Sequence, residues 1–216
     1  MFNPTLNPRD QILQRTCPTI MVPRFEDLSP LTENGHRFLV AQDGLWLEVK
    51  RPWLHLVWPV AEKCYQVAMP YGALQPVITF EFDSLPRDLI DSFIEDACHA
   101  LPNEYAAWII WNSETGKFSY CPLAASSAGP AHLELDRPVL GGHEHLVVDI
   151  HSHANMNAFF SAEDNRDDAG EVKLSIVVGR LGSNQQISSK IRLCANGVII
   201  PAQILAQSGM SFGITS

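Results

Sequence analysis

A short apolar segment that ends in two closely spaced histidines constrains this chain more than any other feature. The run 146–150 has the length and composition of a buried β-strand, and His151 and His153 follow at its end. Side chains alternate along a strand, so the two imidazoles point to the same side. Two imidazoles side by side at a strand end can chelate one metal ion. The chain must therefore fold around a strand whose end forms a candidate metal site.

The residues after this strand supply a third candidate ligand. Residues 154–160 predict a loop, and Ser161 is the predicted N-cap of the acidic helix that follows. Asp164 lies in the first turn of that helix, three residues after the cap. The full pattern is H-x-H-x7-S-x2-D, with His151, His153 and Asp164 as candidate ligands. Two histidines and one carboxylate leave the fourth tetrahedral position of Zn²⁺ open for water, as in catalytic zinc sites.

A zinc-activated water needs a side chain that takes its proton and returns the proton to the leaving amine. Glu104 is the candidate for this role, because it lies between a predicted helix and the predicted strand 106–111. The residues alone leave plainer alternatives open. Glu104 can be a solvated surface carboxylate, and the two histidines can be polar residues at a strand end followed by an ordinary helix cap.

The combination of a helix, the sequence LPNE, a strand and the H-x-H-x7-S-x2-D pattern resembles the JAMM (JAB1/MPN/Mov34) metalloprotease family. The resemblance covers about residues 85–205 and implies one zinc ion per chain. The resemblance also implies a role for each candidate residue. The resemblance implies that His151, His153 and Asp164 bind the metal, that Glu104 is the general acid and base, and that Ser161 stabilises the tetrahedral intermediate.

This chain departs from the family pattern at one position and lacks one insertion. The family often has proline directly after the second histidine, whereas this chain has Ala154. That position shapes a loop and ligates nothing, so the expected ligand set is unchanged. After Asp164 the chain reaches the next predicted strand at Lys173, which leaves no room for the long insertion of ubiquitin-specific members. In this respect the chain resembles the compact prokaryotic members.

The predicted elements and the resemblance together indicate an α+β fold. The expected core is of the JAB/MPN α/β type, a mixed β-sheet flanked by helices, and a small mainly-β region precedes it. The predicted boundaries are 1–82 for the N-terminal region and 83–216 for the JAB/MPN-like metalloprotease domain.

In the second region, apolar residues at helical spacing predict a helix with Ser84 as N-cap and Pro86 in its first turn. The chain after this helix alternates between apolar runs and turn signals, of which Asn196-Gly197 is typical of a type I′ hairpin. Besides the histidine-bearing strand, the predicted strands are AAWIIWN, KFSYCPL, KLSIVVGRL and two strands around Asn196-Gly197.

A second histidine pair, His143 and His145, precedes the central strand. If the strand extended that far, His145 would lie about 20 Å from His151, at ~3.3 Å per residue. The two pairs therefore cannot share one metal ion. The surrounding stretch 124–145 predicts a loop with a short extended piece near residues 132–135. We expect His143 and His145 to be surface residues rather than a second metal site.

The first 82 residues predict a separate, mainly β region. Residues 1–34 are rich in proline and polar residues, which indicates irregular, partly extended chain. In RFLVAQDGLWLEVKRP (37–52), the pair Asp43-Gly44 is typical of a hairpin between two strands. Further strand-like segments are WLHLVWPVA (53–61), CYQVAMPY (64–71) and VITFEF (77–82). The tryptophans of this region either fill its small core, which burial statistics favour, or form an exposed recognition surface.

Composition limits the compartment and the partners. With 46% hydrophobic and 18% charged residues, the chain has the composition of a soluble globular protein. A net charge of −9 argues against nucleic acid or an anionic membrane as a main partner. Five scattered cysteines without a C-x-x-C pair indicate reduced thiols. The start MFNPTLNPRDQ lacks the pattern of a signal peptide, so we expect a cytoplasmic protein.

The expected function is that of a zinc-dependent (iso)peptidase. The layout of a β-rich region followed by this core resembles the JAB proteins encoded in the PRTRC cassettes of bacterial mobile elements. Those cassettes also encode a ThiF/E1-like activating enzyme and a ubiquitin-like protein. The resemblance implies that the substrate is a ubiquitin-like protein or its conjugates, and that the ThiF/E1-like protein is a candidate partner.

Two other functions remain open at this point. Many MPN domains are metal-free scaffolds that bind partner proteins, but these usually lack one or more ligands, whereas this chain retains all three. A metal-dependent hydrolase that acts on another amide, such as a short peptide on a sulfur-carrier protein, would use the same residues. Metal content separates the first alternative from the enzyme, and substrate data separate the second.

Overall fold

The computed structural model describes residues 7–61, 69–129, 132–182, 186–207 and 209–212 of the 216-residue chain. The chain divides into two compact units, Met1–Glu81 and Phe82–Ser216. Both units are built on β-sheets, and helices accompany them. The predicted α+β class with a mainly-β N-terminal region is therefore confirmed. No helix in the described ranges is long and apolar enough to cross a membrane.

The first unit is a small sheet preceded by one helix. Its elements are α1 (Pro8–Thr16), β1 (Thr19–Met21), β2 (Gly35–Ala41), β3 (Gly44–Arg51), β4 (Leu54–Pro59) and β5 (Val77–Phe80). The spatial order of the strands is β1-β2-β3-β4-β5, with β1 parallel to β2 and the other adjacent pairs antiparallel. The Asp-Gly hairpin is confirmed between β2 and β3. The predicted strand 64–71 falls largely on residues 62–68, which lie outside the described residues.

Buried tryptophans and one buried carboxylate hold this sheet together. Trp46 and Trp53 are 1% and 2% exposed, so these two rings are core residues rather than an exposed recognition surface. Glu48 is fully buried and accepts hydrogen bonds from Arg37 Nε at 2.6 Å and from the backbone N–H of Leu31 at 2.8 Å. Because one carboxylate serves a strand and a loop, Glu48 fixes the segment before β2 to the sheet.

Helix α1 was not expected, since residues 1–34 predicted irregular chain. Its start follows local rules: the side chain of Asn7 accepts a hydrogen bond from Arg9 N–H at 2.9 Å, and Pro8 occupies the first helical position. The helix has no buried residue. It therefore lacks the apolar stripe by which sequence periodicity identifies a helix.

The second unit is a six-stranded mixed sheet with helices and a separate hairpin. Its elements are α2 (Arg87–His99), β6 (Ala106–Asn112), β7 (Lys117–Pro122), β8 (Ala124–Gly129), β9 (His132–Asp136), β10 (Glu144–Ser152), α3 (Ala162–Asp168), β11 (Val172–Gly179), β12 (Ser188–Ala195), β13 (Val198–Pro201) and α4 (Ala202–Gln207). The strand order is β13-β12-β11-β10-β6-β7. Only β10 and β11 pair in parallel among the described strands of this sheet.

Three details of the second unit differ from the expectations. Helix α2 has Pro86 as its N-cap, because Ser84 pairs with Ser211 in an isolated bridge and is therefore extended. The stretch 124–145 contains β8 as well as the expected extended piece, which is β9. The segment QISSKIRLCANGVIIPAQIL predicts two strands, but its end AQIL lies in α4. The predicted strands β6, β7 and β11 and the hairpin at Asn196-Gly197, where both residues have positive φ, are confirmed.

The loop 153–160 is fastened to the end of β11. The His153 N–H donates to the carbonyl of Val178 at 2.7 Å, and the Arg180 N–H donates to the carbonyl of Met156 at 2.8 Å. This close approach requires a glycine in between: a Cβ on Gly179 would lie 2.2 Å from the Met156 carbonyl oxygen. The loop that joins β10 to α3 is therefore held by backbone contacts on both sides of Gly179.

We expect the substitution Gly179→Ala to destabilise the protein by about 1–3 kcal/mol, because the new methyl group overlaps backbone atoms that cannot move freely. Gly170→Ala is the matched control, since no heavy atom lies within 4 Å of its added Cβ. Denaturant unfolding of both variants measures the difference. Equal unfolding free energies for the two variants would show that the loop does not pack against Gly179.

Candidate metal centre

The end of β10 carries the two histidines of the pattern. β10 lies between β6, which is antiparallel, and β11, which is parallel, and His151 pairs with Ala106 and Val177. The strand starts two residues earlier than predicted, at Glu144. His151 is half-buried and His153 is 5% exposed, so both rings are held by the sheet and by the loop that follows.

Helix α3 presents the third residue of the cluster through a capping box. Ser161 is the N-cap, and its Oγ accepts a hydrogen bond from the Asp164 N–H at 3.1 Å. In return, Asp164 Oδ2 accepts from the Ser161 N–H at 2.6 Å. The other carboxylate oxygen, Oδ1, lies 3.5 Å from His151 Nε2. One oxygen of Asp164 thus orients the side chain, and the other faces the histidines.

The three residues form a compact set of electron-pair donors. His151 Nε2 lies 3.2 Å from His153 Nε2, and the ligand atoms of His151, His153 and Asp164 all lie within 4.8 Å of one another. Two neutral ring nitrogens at this distance repel through their lone pairs unless a proton or a cation lies between them. In the part of the chain that the structure describes, this is the only convergent group of His, Cys, Asp and Glu.

Electrostatics favour the metal-binding form of both histidines. Burial lowers the pKa of His151, and burial together with the neighbouring His151 lowers the pKa of His153. Both rings are therefore neutral near pH 7, as a metal requires of its imidazole ligands. Two neutral imidazoles and one carboxylate are a donor set that suits Zn²⁺. The residues present thus fit a zinc ion.

Glu104 lies in the same cavity as this cluster. The cavity has a volume of ≈ 420 Å³, and its lining includes all five residues of the predicted site, namely Glu104, His151, His153, Ser161 and Asp164. Burial raises the pKa of Glu104 to about 7, and the charges of Asp164 and Glu163 add to this rise.

Two hydrogen bonds between β10 and the start of β6 bring Glu104 to this position. The Ser152 N–H donates to the carbonyl of Tyr105 at 2.8 Å, and the Tyr105 N–H donates to Ser152 Oγ at 3.0 Å. Ser152 lies between the two histidines in sequence and is fully buried. The residue next to Glu104 is therefore bound directly to the strand that carries the candidate ligands.

The residue after the second histidine has an unusual backbone. Ala154 has φ = 46° and is 4% exposed. Proline cannot adopt this conformation, because its ring fixes φ near −65°. The chain's departure from the family pattern at this position is therefore a difference in backbone conformation as well as in side chain.

The second histidine pair lies away from the convergent cluster. His143 is exposed, and His145 is on β10 with its Nε2 3.1 Å from Ser113 Oγ. The ring of His145 also packs against Trp111, with 6.3 Å between the centroids. These contacts account for His145 without a metal ion.

Sequence reasoning missed a buried group of charged residues, of which Asp149, Asp168 and Lys173 line the cavity. Lys173 Nζ lies 2.6 Å from Asp149 Oδ2 and 3.0 Å from Asp168 Oδ1, and Arg192 donates to Asp168 Oδ2 from two nitrogens. Two spacings in the sequence partly indicated this group. Asp149 precedes His151 by two residues on the strand, and Asp168 follows Asp164 by one helical turn, so each shares a face with a candidate ligand.

Comparison with known proteins divides the chain as follows. Residues 86–192 match the family described as prokaryotic homologs of the JAB domain, and residues 7–81 match a domain of unknown function, DUF2016. No curated protein matches the chain. The solution structure of a protein from Desulfitobacterium hafniense is similar with a TM-score of 0.42 and 16% identity, over 60% of this chain and 91% of that chain. The match over residues 86–192 alone indicates a JAB-like domain in the second unit.

The raised pKa of Glu104 predicts that the difference in stability between wild type and Glu104→Gln depends on pH. Because the folded-state pKa is about 7 and the ordinary value is 4.5, the folded state binds a proton more readily and loses stability as pH rises through this window. Glu104→Gln removes this loss. Allowing for solvent screening of a half-exposed group, we expect the metal-free variant to gain about 1 kcal/mol over wild type between about pH 5 and about pH 8.

Denaturant unfolding of the metal-free proteins at the two pH values measures this difference. Glu114→Gln, an exposed position in the turn after β6, is the matched control and should show no such gain. If Glu104→Gln and wild type keep the same stability difference at both pH values, the Glu104 carboxyl is not held in a desolvated environment.

Proposed function

We propose that this chain, which contains a JAB-like domain over residues 86–192, is a zinc-dependent (iso)peptidase. The observation that carries the proposal is the convergence of His151, His153 and Asp164 in one cavity with Glu104, whose pKa is raised to about 7. A partner-binding scaffold needs neither a set of convergent metal ligands nor a carboxyl group that titrates near neutral pH. Both features are what amide hydrolysis requires.

The proposed ligands are His151 and His153 through ring nitrogens and Asp164 through its carboxylate. When bound, a zinc ion supplies Lewis acidity that polarises a carbonyl group and lowers the pKa of water to about 7. Asp164 Oδ2 already accepts the Ser161 N–H, so Oδ1 is the oxygen that remains for a cation. The protein thereby orients the carboxylate before any ion binds.

Glu104 is proposed as the group that moves the proton. It takes a proton from the attacking water and delivers it to the nitrogen of the leaving amine as the carbon–nitrogen bond breaks. A carboxyl group with a pKa of about 7 suits both steps, because each protonation state is populated near neutral pH. Its neighbour Tyr105 is held by Ser152, so Glu104 keeps its place beside the histidine-bearing strand.

Ser161 is proposed to stabilise the oxyanion that forms on the substrate. Its Oγ accepts the N–H of Asp164, and this contact leaves its own proton available for donation. A donor of this kind is typically worth ~3 kcal/mol in acyl transfer. The cap thus places the hydroxyl group in the cavity at the first turn of α3.

The substrate and the partners are proposed from the resemblance alone. The layout of residues 1–216 resembles the JAB proteins of PRTRC cassettes, which supports a ubiquitin-like protein or its conjugates as substrate. It also supports a ThiF/E1-like protein as a partner and a cytoplasmic setting in a prokaryote. These proposals are independent of the metal centre, so they can fail while the hydrolase assignment holds.

Metal content is the first test of the metal centre. We expect about one zinc ion per purified chain, and loss of this zinc in the double variant His151→Ala/His153→Ala, because two of three ligands are removed. His143→Ala/His145→Ala is the matched control and should retain the metal. Elemental analysis provides the measurement. A wild-type protein without zinc that also takes up none on addition would support a scaffold that binds partner proteins.

Glu104→Gln tests the proton-transfer role separately from metal binding. We expect the variant to keep its fold and its zinc while cleavage of a ubiquitin-like protein with a C-terminal extension slows at least ~100-fold, because general acid–base catalysis is lost. Glu114→Gln should cleave at the wild-type rate. Cleavage by Glu104→Gln at the wild-type rate, in a protein that cleaves this substrate, would refute the role of Glu104 alone.

A further inference from the structure

We propose that Lys173 is a positioning residue for the metal centre. The proposal rests on the proposed metal site and concerns how its three ligands are held together. Two of these ligands come from β10 and its end, and the third comes from α3. At least ten residues of chain lie between Asp164 and the histidines. The local sequence therefore does not by itself set the separation between the two ligand-bearing segments.

Lys173 connects these two segments directly. Its ammonium lies 2.6 Å from Asp149 Oδ2 and 3.0 Å from Asp168 Oδ1. Asp149 precedes His151 by two residues, so it lies on the same face of β10. Asp168 follows Asp164 by four residues, so it lies one turn further along the same side of α3. One cation on β11 thus links the strand of the histidines to the helix of the carboxylate.

The arrangement across the sheet supports this geometry. Asp149 pairs with Ser175 of β11, and Ser175 pairs with Arg192 of β12, so these residues form a row across three neighbouring strands. Lys173 is two residues before Ser175 and therefore lies on the same face. The charged side chains of three strands thus meet α3 on one face of the sheet.

Arg192 completes the attachment of α3. It donates to Asp168 Oδ2 from Nε at 2.9 Å and from Nη2 at 2.6 Å, and to Asn165 Oδ1 at 2.6 Å. Its guanidinium also lies 3.7 Å from the centre of the Phe160 ring. Because Phe160 precedes the cap and Asp168 ends the helix, Arg192 holds both ends of α3.

Burial restricts the positions of the charged side chains in this cluster of Lys173, Arg192, Asp149 and Asp168. The side chains of Lys173 and Asp168 are 4% and 3% exposed, and the two cations balance the two carboxylates. A buried cluster of this kind adds little net stability, because desolvation offsets the attraction. It does restrict positions, since a cation displaced from its carboxylate is left uncompensated. The cluster therefore limits how far α3 can move from β10.

Lys173→Met separates positioning from charge. The substitution keeps most of the side-chain volume and removes a positive charge near a cation site, so Coulomb's law alone predicts tighter zinc binding. If Lys173 positions the ligands, its loss weakens zinc binding instead. We expect zinc affinity, measured by competition with a chelator, to fall about 10-fold or more, and the visible spectrum of the Co²⁺-loaded protein to change. Lys190→Met, at an exposed position of β12, is the matched control and should bind zinc as wild type does.

A double variant excludes the unpaired charge as the cause. Lys173→Met/Asp149→Asn removes one charge of each sign, so it restores charge balance without restoring the link. We expect zinc affinity to stay low in the double variant. Wild-type affinity in either Lys173 variant, or an equal loss in Lys190→Met, would overturn the proposal.

Hydrogen exchange of the metal-free protein tests positioning without any ion. We expect the α3 amides of Lys173→Met to exchange about 10-fold faster or more, while the amides of β6 stay protected. If Lys173→Met does not fold, Asp149→Asn cuts the same link at a more exposed side chain and should also loosen α3. Unchanged α3 exchange overturns the proposal. A wild-type protein that takes up no zinc refutes the metal centre, and α3 exchange then decides the role of Lys173 alone.

Discussion

The reciprocal hydrogen bonds between Ser161 and Asp164 are the interaction on which the candidate metal centre depends. A capping box ordinarily caps the N-terminus of a helix and contributes about 1 kcal/mol. Here it also orients a carboxylate, because Oδ2 of Asp164 is occupied by the Ser161 N–H and Oδ1 faces His151. A side chain held in one orientation loses little conformational entropy when it binds an ion. The first turn of α3 therefore prepares the site.

This preparation requires contacts from outside the helix. At seven residues, α3 is too short to be stable alone. Arg192 holds it at Phe160 and at Asp168, and Lys173 joins Asp168 to the strand of the histidines. These two cations lie on β12 and β11, and β11 is the strand between β12 and β10. The mixed sheet thus supports the cavity through its charged residues as well as through the strand that carries the histidines.

Local patterns predicted the parts of the structure that local forces determine. The apolar run before His151 predicted β10, and the serine three residues before Asp164 predicted the cap of α3. Other features depend on contacts that are distant in the chain. Lys173 contacts Asp149, which lies 24 residues earlier in the chain. Nothing in the run KLSIVVGRL shows whether its first residue, Lys173, is a buried lysine or an exposed lysine at the end of the strand. Helix α1 was missed because it buries no residue. The small residues of β8 likewise show no alternation of apolar and polar side chains.

The charge of Asp164 links metal binding to proton transfer in the proposed mechanism. Burial has the larger part in raising the pKa of Glu104, and the negative charge of Asp164 adds to it. A divalent cation held by Asp164 would offset that charge, so it would also make Glu104 a stronger acid. Glu104 in the metal-free protein is then about half protonated near pH 7, whereas loading would favour the carboxylate that can accept a proton. The same residue would thus couple occupancy of the site to the protonation state of its base.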